Sequence, residues 1–433
     1  MGEYLQIIII GIIAIIIFKL GFKGTLKAII SFALNLIVGL VLLYVINKYA
    51  ILGLYIPVNL FTSIFVGIFG ALGVLVLAIV YFLGIFYEVY MTTIDEYIKY
   101  YKDTSIKDIG FNQIDNLLMA VLVYLPINSF KEKTFDELYD YSKDFTDKKS
   151  DSAMASRAFE YLEKIKGSKR YKNMVFKNYV NVVNDSMQFG ACTIRLEDIT
   201  VICYKGTDRS LIGWIENARI GYDYPTNTQK TAIDYLNENI TKEDKKVYVV
   251  GHSKGGNLAL VSGMEASEEN FDKIIKVYNF DGPGLRYKEY TSDKYERLRS
   301  KLVNVMPSGS VIGTLLYNKD YIVVNSKNVS FGEHYPDSWG VFGEFFITNT
   351  LSKSSLKLHD STTIGIKDLD EKEMKNAFET VFKNIELDYT SKFKLDLDDL
   401  QKTYRNMKDL DPKAKEYLDT MFSSMLKALN VKR

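Results

Sequence analysis

Residues 246–263 read KVYVVGHSKGGNLALVSG, in which a β-branched run passes through Gly251-His252-Ser253-Lys254-Gly255 straight into a helical apolar pattern. A strand that turns into a helix within a few residues belongs to a layered α/β architecture. The alternation continues on both sides. Strands are expected at Ile199 to Tyr204, Lys246 to Val250, Ile274 to Phe280, Lys301 to Met306 and Tyr321 to Asn325, with helices at about Asn227 to Asn239 and Gly255 to Ala266. This pattern predicts an α/β fold with a mostly parallel sheet, whose strand carboxyl ends carry the chemistry.

Gly251-x-Ser253-x-Gly255 sits at one of those ends. The spacing has a steric reason: the serine is held in a strained strand-to-helix turn, and the flanking glycines leave room for neighbouring backbone. The Lys254 amide at the start of the following helix is then placed to stabilise a developing oxyanion. The competing structural role for Ser253 is that of a helix N-cap.

A serine nucleophile needs a base, and the chain has only three histidines. His252 adjoins Ser253 and cannot easily turn back onto it. His359 lies in the polar run SKSSLKLHDSTT. His334, in FGEHYPDSW after the last predicted strand, is the candidate base, with pairing to Glu333 or Asp337 as its structural alternative. Asp281 ends the strand KVYNFD and preserves the chain order Ser, Asp, His; an Asx-turn is the rival role. Asp320 in YNKDYIVV is the alternative acid, but it precedes a strand and so is expected at the opposite edge of the sheet.

Residues 1–90 are almost all apolar, while the remainder is ordinary soluble sequence. Three spans fit best: Tyr4 to Phe22, which lacks the flanks of a cleaved signal peptide, about Leu26 to Ile46, and one within Ile51 to Tyr87. In the third stretch Pro57 and Asn59 mark a break, and Gly67, Gly70 and Gly73 offer a small-residue packing face. Lys19, Lys23 and Lys27 crowd the first loop and Lys99, Lys102 and Lys107 follow the last span, so the soluble part is expected in the cytoplasm.

The formal net charge is +1 and charges of both signs are interspersed, so nothing argues for a nucleic-acid partner. Cys192 and Cys203 fit neither a disulfide framework nor a metal site and read as small buried hydrophobes. Residues 93–110 and 131–170 are helical in pattern and suit a connector and a cap over the cleft, and the sequence after about Ile366 has helical periodicity. The expected organisation is therefore a membrane region over 1–92, a hydrolase-like domain over 93–365 and a small helical appendage over 366–433.

Two resemblances add to this. Residues 26–80, with Gly39, Asn47 and IPVNLFTSIFVGIFGALGV, are similar to the BofA family of sigma-K processing inhibitors. That resemblance implies a helix-contacting membrane module. The segments VICYKGTDRSLIGWIENARIGY, VVGHSKGGNLA, VYNFDGPGL and HYPDSW, with FNQIDNLLMAVLVYLPI and FGACTI upstream, together resemble an uncharacterised bacterial branch of the class 3 (fungal-type) lipases over roughly 106–345. This resemblance implies an α/β-hydrolase fold with Ser253 as nucleophile, His334 as base and Thr207 as the second oxyanion group. Two positions depart from the branch, Lys205 where arginine is usual and Asn217 where aspartate is common. The usual acid position is occupied by Ser308 or Ser310, which directs attention to Asp281.

The chain is thus expected to be a multi-pass protein of the cell membrane, a serine hydrolase that cleaves acyl esters at the bilayer without metal or cofactor. A lipid or lysolipid substrate fits the anchoring, and small esters or thioesters fit the same machinery. The alternative is an inactive hydrolase-fold regulator or scaffold that binds another membrane protein through its spans, and a weaker one is a peptidase or acyltransferase.

Overall fold

The computed structural model describes residues 29–48, 60–82, 92–146, 153–208, 210–367 and 371–381, with a few single positions besides. The contacts divide the chain into two compact units, Met1–Thr92 and Thr93–Arg433. The expected first span and most of the expected helical appendage lie outside the described residues.

In the first unit, α1 (Ile29–Lys48) and α2 (Leu60–Phe82) are each long and apolar enough to cross a bilayer. Two such helices are therefore described where three spans were expected. Ile30, Leu34, Ile37 and Val41 of α1 and Leu72, Leu75 and Ile79 of α2 are exposed, an apolar surface suited to lipid. The helices approach closely at Gly67, where a methyl group would lie 2.4 Å from the Phe32 ring. Gly70 breaks α2 with φ 58° and ψ −139°, a conformation glycine tolerates best, and faces Asn35. The Asn47 carboxamide bonds both the N–H and the carbonyl of Ile56 at 2.8 Å. In this way a side chain stands in for a backbone partner near the end of α1.

The second unit is built on one eight-stranded sheet in simple sequential order: β1 (Phe130–Thr134), β2 (Val175–Val183), β3 (Gln188–Leu196), β4 (Ile199–Tyr204), β5 (Lys246–His252), β6 (Ile274–Phe280), β7 (Leu302–Pro307) and β8 (Tyr321–Val324). All the strands predicted from Ile199 onward are present and parallel to one another. The expectation of a mostly parallel sheet needs correcting at the other end, where β1 to β4 pair antiparallel. Connection length explains the difference. Only two residues join β3 to β4, too few for a crossover, whereas helices intervene between the later strands. Residues 131–134, expected to be helical, belong to the edge strand FKEKT, whose lysines suit an unpaired edge.

Helices cover both faces. α3 (Ile94–Tyr101), α4 (Gln113–Leu122), α5 (Phe135–Thr146) and α6 (Ala153–Ile165) precede β2; α7 (Leu211–Arg219) and α8 (Asn227–Asn239) connect β4 to β5; α9 (Lys254–Met264) follows β5. Strand alternation separates two cores. Val201 and Cys203 of β4 face the core that contains α4 and α6, while Ile202 and Tyr204 face the one that contains α8 and α9. Cys192 and Cys203 are buried free thiols opposite each other on β3 and β4. A capping box begins α8, the helix expected here: Thr226 accepts from the Gln229 amide while the Gln229 side chain reaches back. Asp115 of α4, within the FNQID motif, holds the fully buried Arg170 and accepts from Tyr97 and Tyr171. Arg170 also donates to the Ile109 and Gly110 carbonyls, which pins the start of α4 and thereby the chain that leads to Tyr124.

Candidate active site

The turn from β5 to α9 is tight because two glycines allow it. A methyl group on Gly251 would lie 2.0 Å from the Gly255 carbonyl oxygen, and one on Gly255 would lie 2.2 Å from the Tyr204 carbonyl oxygen. Ser253 between them has φ 59° and ψ −132°, a strained conformation for a side-chain-bearing residue. Its backbone N–H donates to Phe280 O at 2.9 Å and its carbonyl accepts from Gly256 at 2.8 Å. The Ser253 side chain makes no capping bond to α9, so its position is not explained as an N-cap. It faces a cavity shared with Thr207, Trp214, Phe331 and His334.

Asp281 leaves the carboxyl end of β6 with φ 47° and is fully buried at its side chain. Its Oδ1 accepts from the Ser310 hydroxyl and from Gly313 N at 3.1 Å, and its Oδ2 lies 2.6 Å from His334 Nδ1. The carboxylate is therefore oriented by two donors toward the imidazole, which differs from a simple Asx-turn. Ser310, at the usual acid position, serves as one of those donors. The other acids near His334 are occupied elsewhere: Glu333 accepts from Gly309 N at 2.7 Å and Asp337 pairs with Arg157 of α6 at 2.9 Å. Asp320 pairs with Arg299 at 2.7 Å on the exposed side, at the opposite strand edge as expected. His359 donates from Nδ1 to Thr314 O at 3.1 Å.

Thr207 follows β4 and borders the same cavity as His334. Its Oγ1 accepts from Asn217 Nδ2 of α7 at 2.8 Å, which leaves the hydroxyl proton for another acceptor. The neighbouring Glu216 forms a buried ion pair of 2.8 Å with Lys254, the residue after the serine, and Lys254 Nζ also donates to Gln188 O at 2.7 Å. One helix thus clamps both the Thr207 loop and the first residue of α9. As the first residue of that helix, Lys254 has a backbone N–H without an intrahelical partner. Lys205 turns away, donating to Asn181 Oδ1 at 3.1 Å, and burial lowers its pKa.

Two residues with a place here were given no role from sequence. Tyr124, just beyond α4, borders the cavity and lies 3.1 Å from His252 Nδ1. His252, set aside as unable to reach Ser253, instead contacts the backbone of His334. Its position in the turn was the only signal available, since the contact joins residues far apart in sequence. Among the described residues, no group of three or more His, Cys, Asp or Glu side chains is arranged to hold a metal ion.

A strained serine, a carboxylate-bound histidine and a loop threonine around one cavity, at the carboxyl ends of parallel strands, define a site of the hydrolase type. The chain belongs to the Mbeg1-like family, a lipase-like group whose model matches residues 165–383, more than half of its 433 residues. Residues 10–83 match the SigmaK-factor processing regulatory protein BofA. With the two long apolar helices, that match points to membrane association. Similar solved structures include M37 lipase, at 16% identity and TM-score 0.25 over 46% of this chain and 69% of that one. Another is the lipase from Rhizopus microsporus var. chinensis, at 14% identity and TM-score 0.27 over 59% of this chain and 86% of that one. No curated protein matches the chain.

Proposed function

We propose that this protein is a membrane-anchored serine hydrolase that cleaves acyl esters. The observation that carries the reading is the 2.6 Å bond from Asp281 to His334, made beside the cavity that the strained Ser253 also borders. With Nδ1 bound to the carboxylate, His334 has Nε2 available to take the Ser253 proton as the hydroxyl attacks the carbonyl carbon. Asp281 fixes the tautomer and stabilises the imidazolium that forms. The Thr207 hydroxyl and the amides of Thr207 and Lys254 hold the oxyanion. Collapse breaks the ester bond and passes the proton from His334 to the leaving alkoxide. Water then repeats the sequence on the acyl-serine and regenerates the enzyme.

Anchoring supports a substrate presented at a bilayer, such as a lipid or lysolipid, and the lysines flanking the apolar region support a cytoplasmic hydrolase domain. The match to a membrane regulatory protein favours a second reading, in which the N-terminal region contacts another membrane protein and the hydrolase fold acts as an inactive binding module.

A fluorophosphonate probe on the detergent-solubilised full chain separates the two. Labelling that is lost in Ser253→Ala and strongly slowed in His334→Ala supports the enzyme. A well-folded wild type that takes no label supports the regulator.

A further inference from the structure

The side chain of His252 is almost completely buried, and two residues supply its polar contacts. Tyr124 Oη lies 3.1 Å from Nδ1, and the backbone carbonyl oxygen of His334 lies 2.8 Å from Nε2. A carbonyl can only accept, so Nε2 carries a proton. Burial, reinforced by the neighbouring His334, holds the pKa of His252 well below the usual histidine range, so the ring is neutral and Nδ1 is an acceptor. The Tyr124 hydroxyl is within reach to serve it, and it also lies 3.2 Å from the His252 carbonyl oxygen, so its one proton is shared between two acceptors on His252. Burial also raises the pKa of that phenol, which keeps its proton in place.

The same ring lies against the imidazole of His334, with centroids 4.5 Å apart and planes inclined by 39°. Trp339 packs on His252 from another side and donates from Nε1 to Glu333 O at 2.7 Å, one residue before His334. The other titratable groups around the pair are Asp281 and Tyr335 against His334, and Tyr124 against His252 with Asp208 beyond it. His334 closes a short 3-10 turn, Ser330–His334, a helix type with weaker backbone hydrogen bonds than an α-helix. The contact from His252 adds a constraint at the His334 carbonyl, beside the one Trp339 places on the Glu333 carbonyl.

We propose that His252 is a positioning residue for the general base: its Nε2–H fixes the His334 carbonyl, its ring supports the His334 imidazole, and Tyr124 holds it in the tautomer that does both. This rests on the serine-hydrolase reading. It also gives the uncharged state a purpose. His334 becomes an imidazolium during each acyl transfer, and a second cation at this distance would oppose it, whereas a neutral π face does not.

The test uses the full chain in detergent, with p-nitrophenyl butyrate turnover, fluorophosphonate labelling rate and ring-carbon NMR of the three histidines. His252→Phe keeps a ring of similar size without the donor, and His252→Gln returns a donor near the Nε2 position. The expected result for His252→Phe is a fall in kcat of about 10- to 100-fold with KM within about twofold. His252→Gln recovers most of that loss, and Tyr124→Phe loses less than His252→Phe. In the wild type, His252 keeps the neutral Nε2–H signature at neutral pH and below the ordinary histidine range.

Folded His252→Phe with wild-type kcat, equal losses in the Phe and Gln variants, or a wild-type His252 that titrates near neutrality would each overturn the role. A wild type with neither turnover nor labelling would overturn the hydrolase reading and this role with it. Full wild-type activity that survives in His252→Phe would overturn the role alone.

Discussion

His334 Nδ1 and Asp281 Oδ2 lie 2.6 Å apart although 53 residues separate them in the chain. The contact forms because β6 delivers Asp281 to the same sheet edge to which the chain returns after β8. In the proposed mechanism Asp281→Asn therefore lowers kcat by about 10³- to 10⁴-fold, because the amide cannot hold the required tautomer. Asp320→Asn leaves turnover within about twofold, since its carboxylate bonds Arg299 on the exposed side. Parallel ester assays of the two variants check this, and equal losses would refute the assignment of the acid.

The backbone of Ser253 stores strain that glycine would relieve. Ser253→Gly removes the nucleophile and is expected to raise stability by about 1 kcal/mol, as the released strain outweighs the added freedom of the unfolded chain. Urea unfolding followed by circular dichroism measures the midpoint. A midpoint at or below that of Ser253→Ala would show that the turn is not strained in solution.

Thr207→Val keeps the shape and the backbone N–H and removes the hydroxyl that Asn217 orients. Loss of that oxyanion donor is expected to reduce kcat by about 10²- to 10³-fold with little change in KM. Steady-state kinetics on a soluble ester decide the matter, and an effect confined to KM would move Thr207 from transition-state stabilisation to substrate binding.

The Lys254 to Glu216 pair is buried at both ends. Breaking it from one side leaves an uncompensated charge, so Lys254→Met and Glu216→Gln are each expected to cost about 3–5 kcal/mol. The double variant Lys254→Met, Glu216→Gln should cost clearly less than the sum of those two single replacements. A double-mutant cycle in denaturant measures the coupling, and additive losses would contradict it.

Folding depresses the pKa of His252 from its unfolded value of about 6.5. The unfolded chain therefore binds one more proton below that pH, and the contribution is present above about pH 6.5 and lost as pH falls toward the folded pKa. Stability is expected to decline by about 1.4 kcal/mol per pH unit from this group across that window, and His252→Gln should remove that slope. Urea midpoints between about pH 7 and 5 test it; identical slopes in the two proteins would count against a buried neutral ring.

Much of the hydrolase unit was legible because local pattern and tertiary structure agree. The predicted helix from Asn227 to Asn239 and the predicted strand from Ile274 to Phe280 have those bounds in the structure. Strand β1 was misread because FKEKT, with three charges and no buried residue, has no apolar alternation to betray a strand. In the site, the turn around Ser253 could be read from glycine spacing, and the Asp281 side could be argued from chain order. The partners that hold those groups could not: Ser310, Glu216 and Tyr124 reach them only through long-range contacts. His252 was visible as a residue and invisible as a contact.

The chain has only two tryptophans, and both stand at this site: Trp214 borders the cavity, and Trp339 packs on His252 just after the His334 turn. Intrinsic ultraviolet emission is therefore a built-in optical gauge of the cleft, with one indole on the cavity wall and one packed behind it on His252. Occupancy by an unlabelled ester or inhibitor can be followed by tryptophan quenching, without attaching a dye and with no background from the two apolar helices.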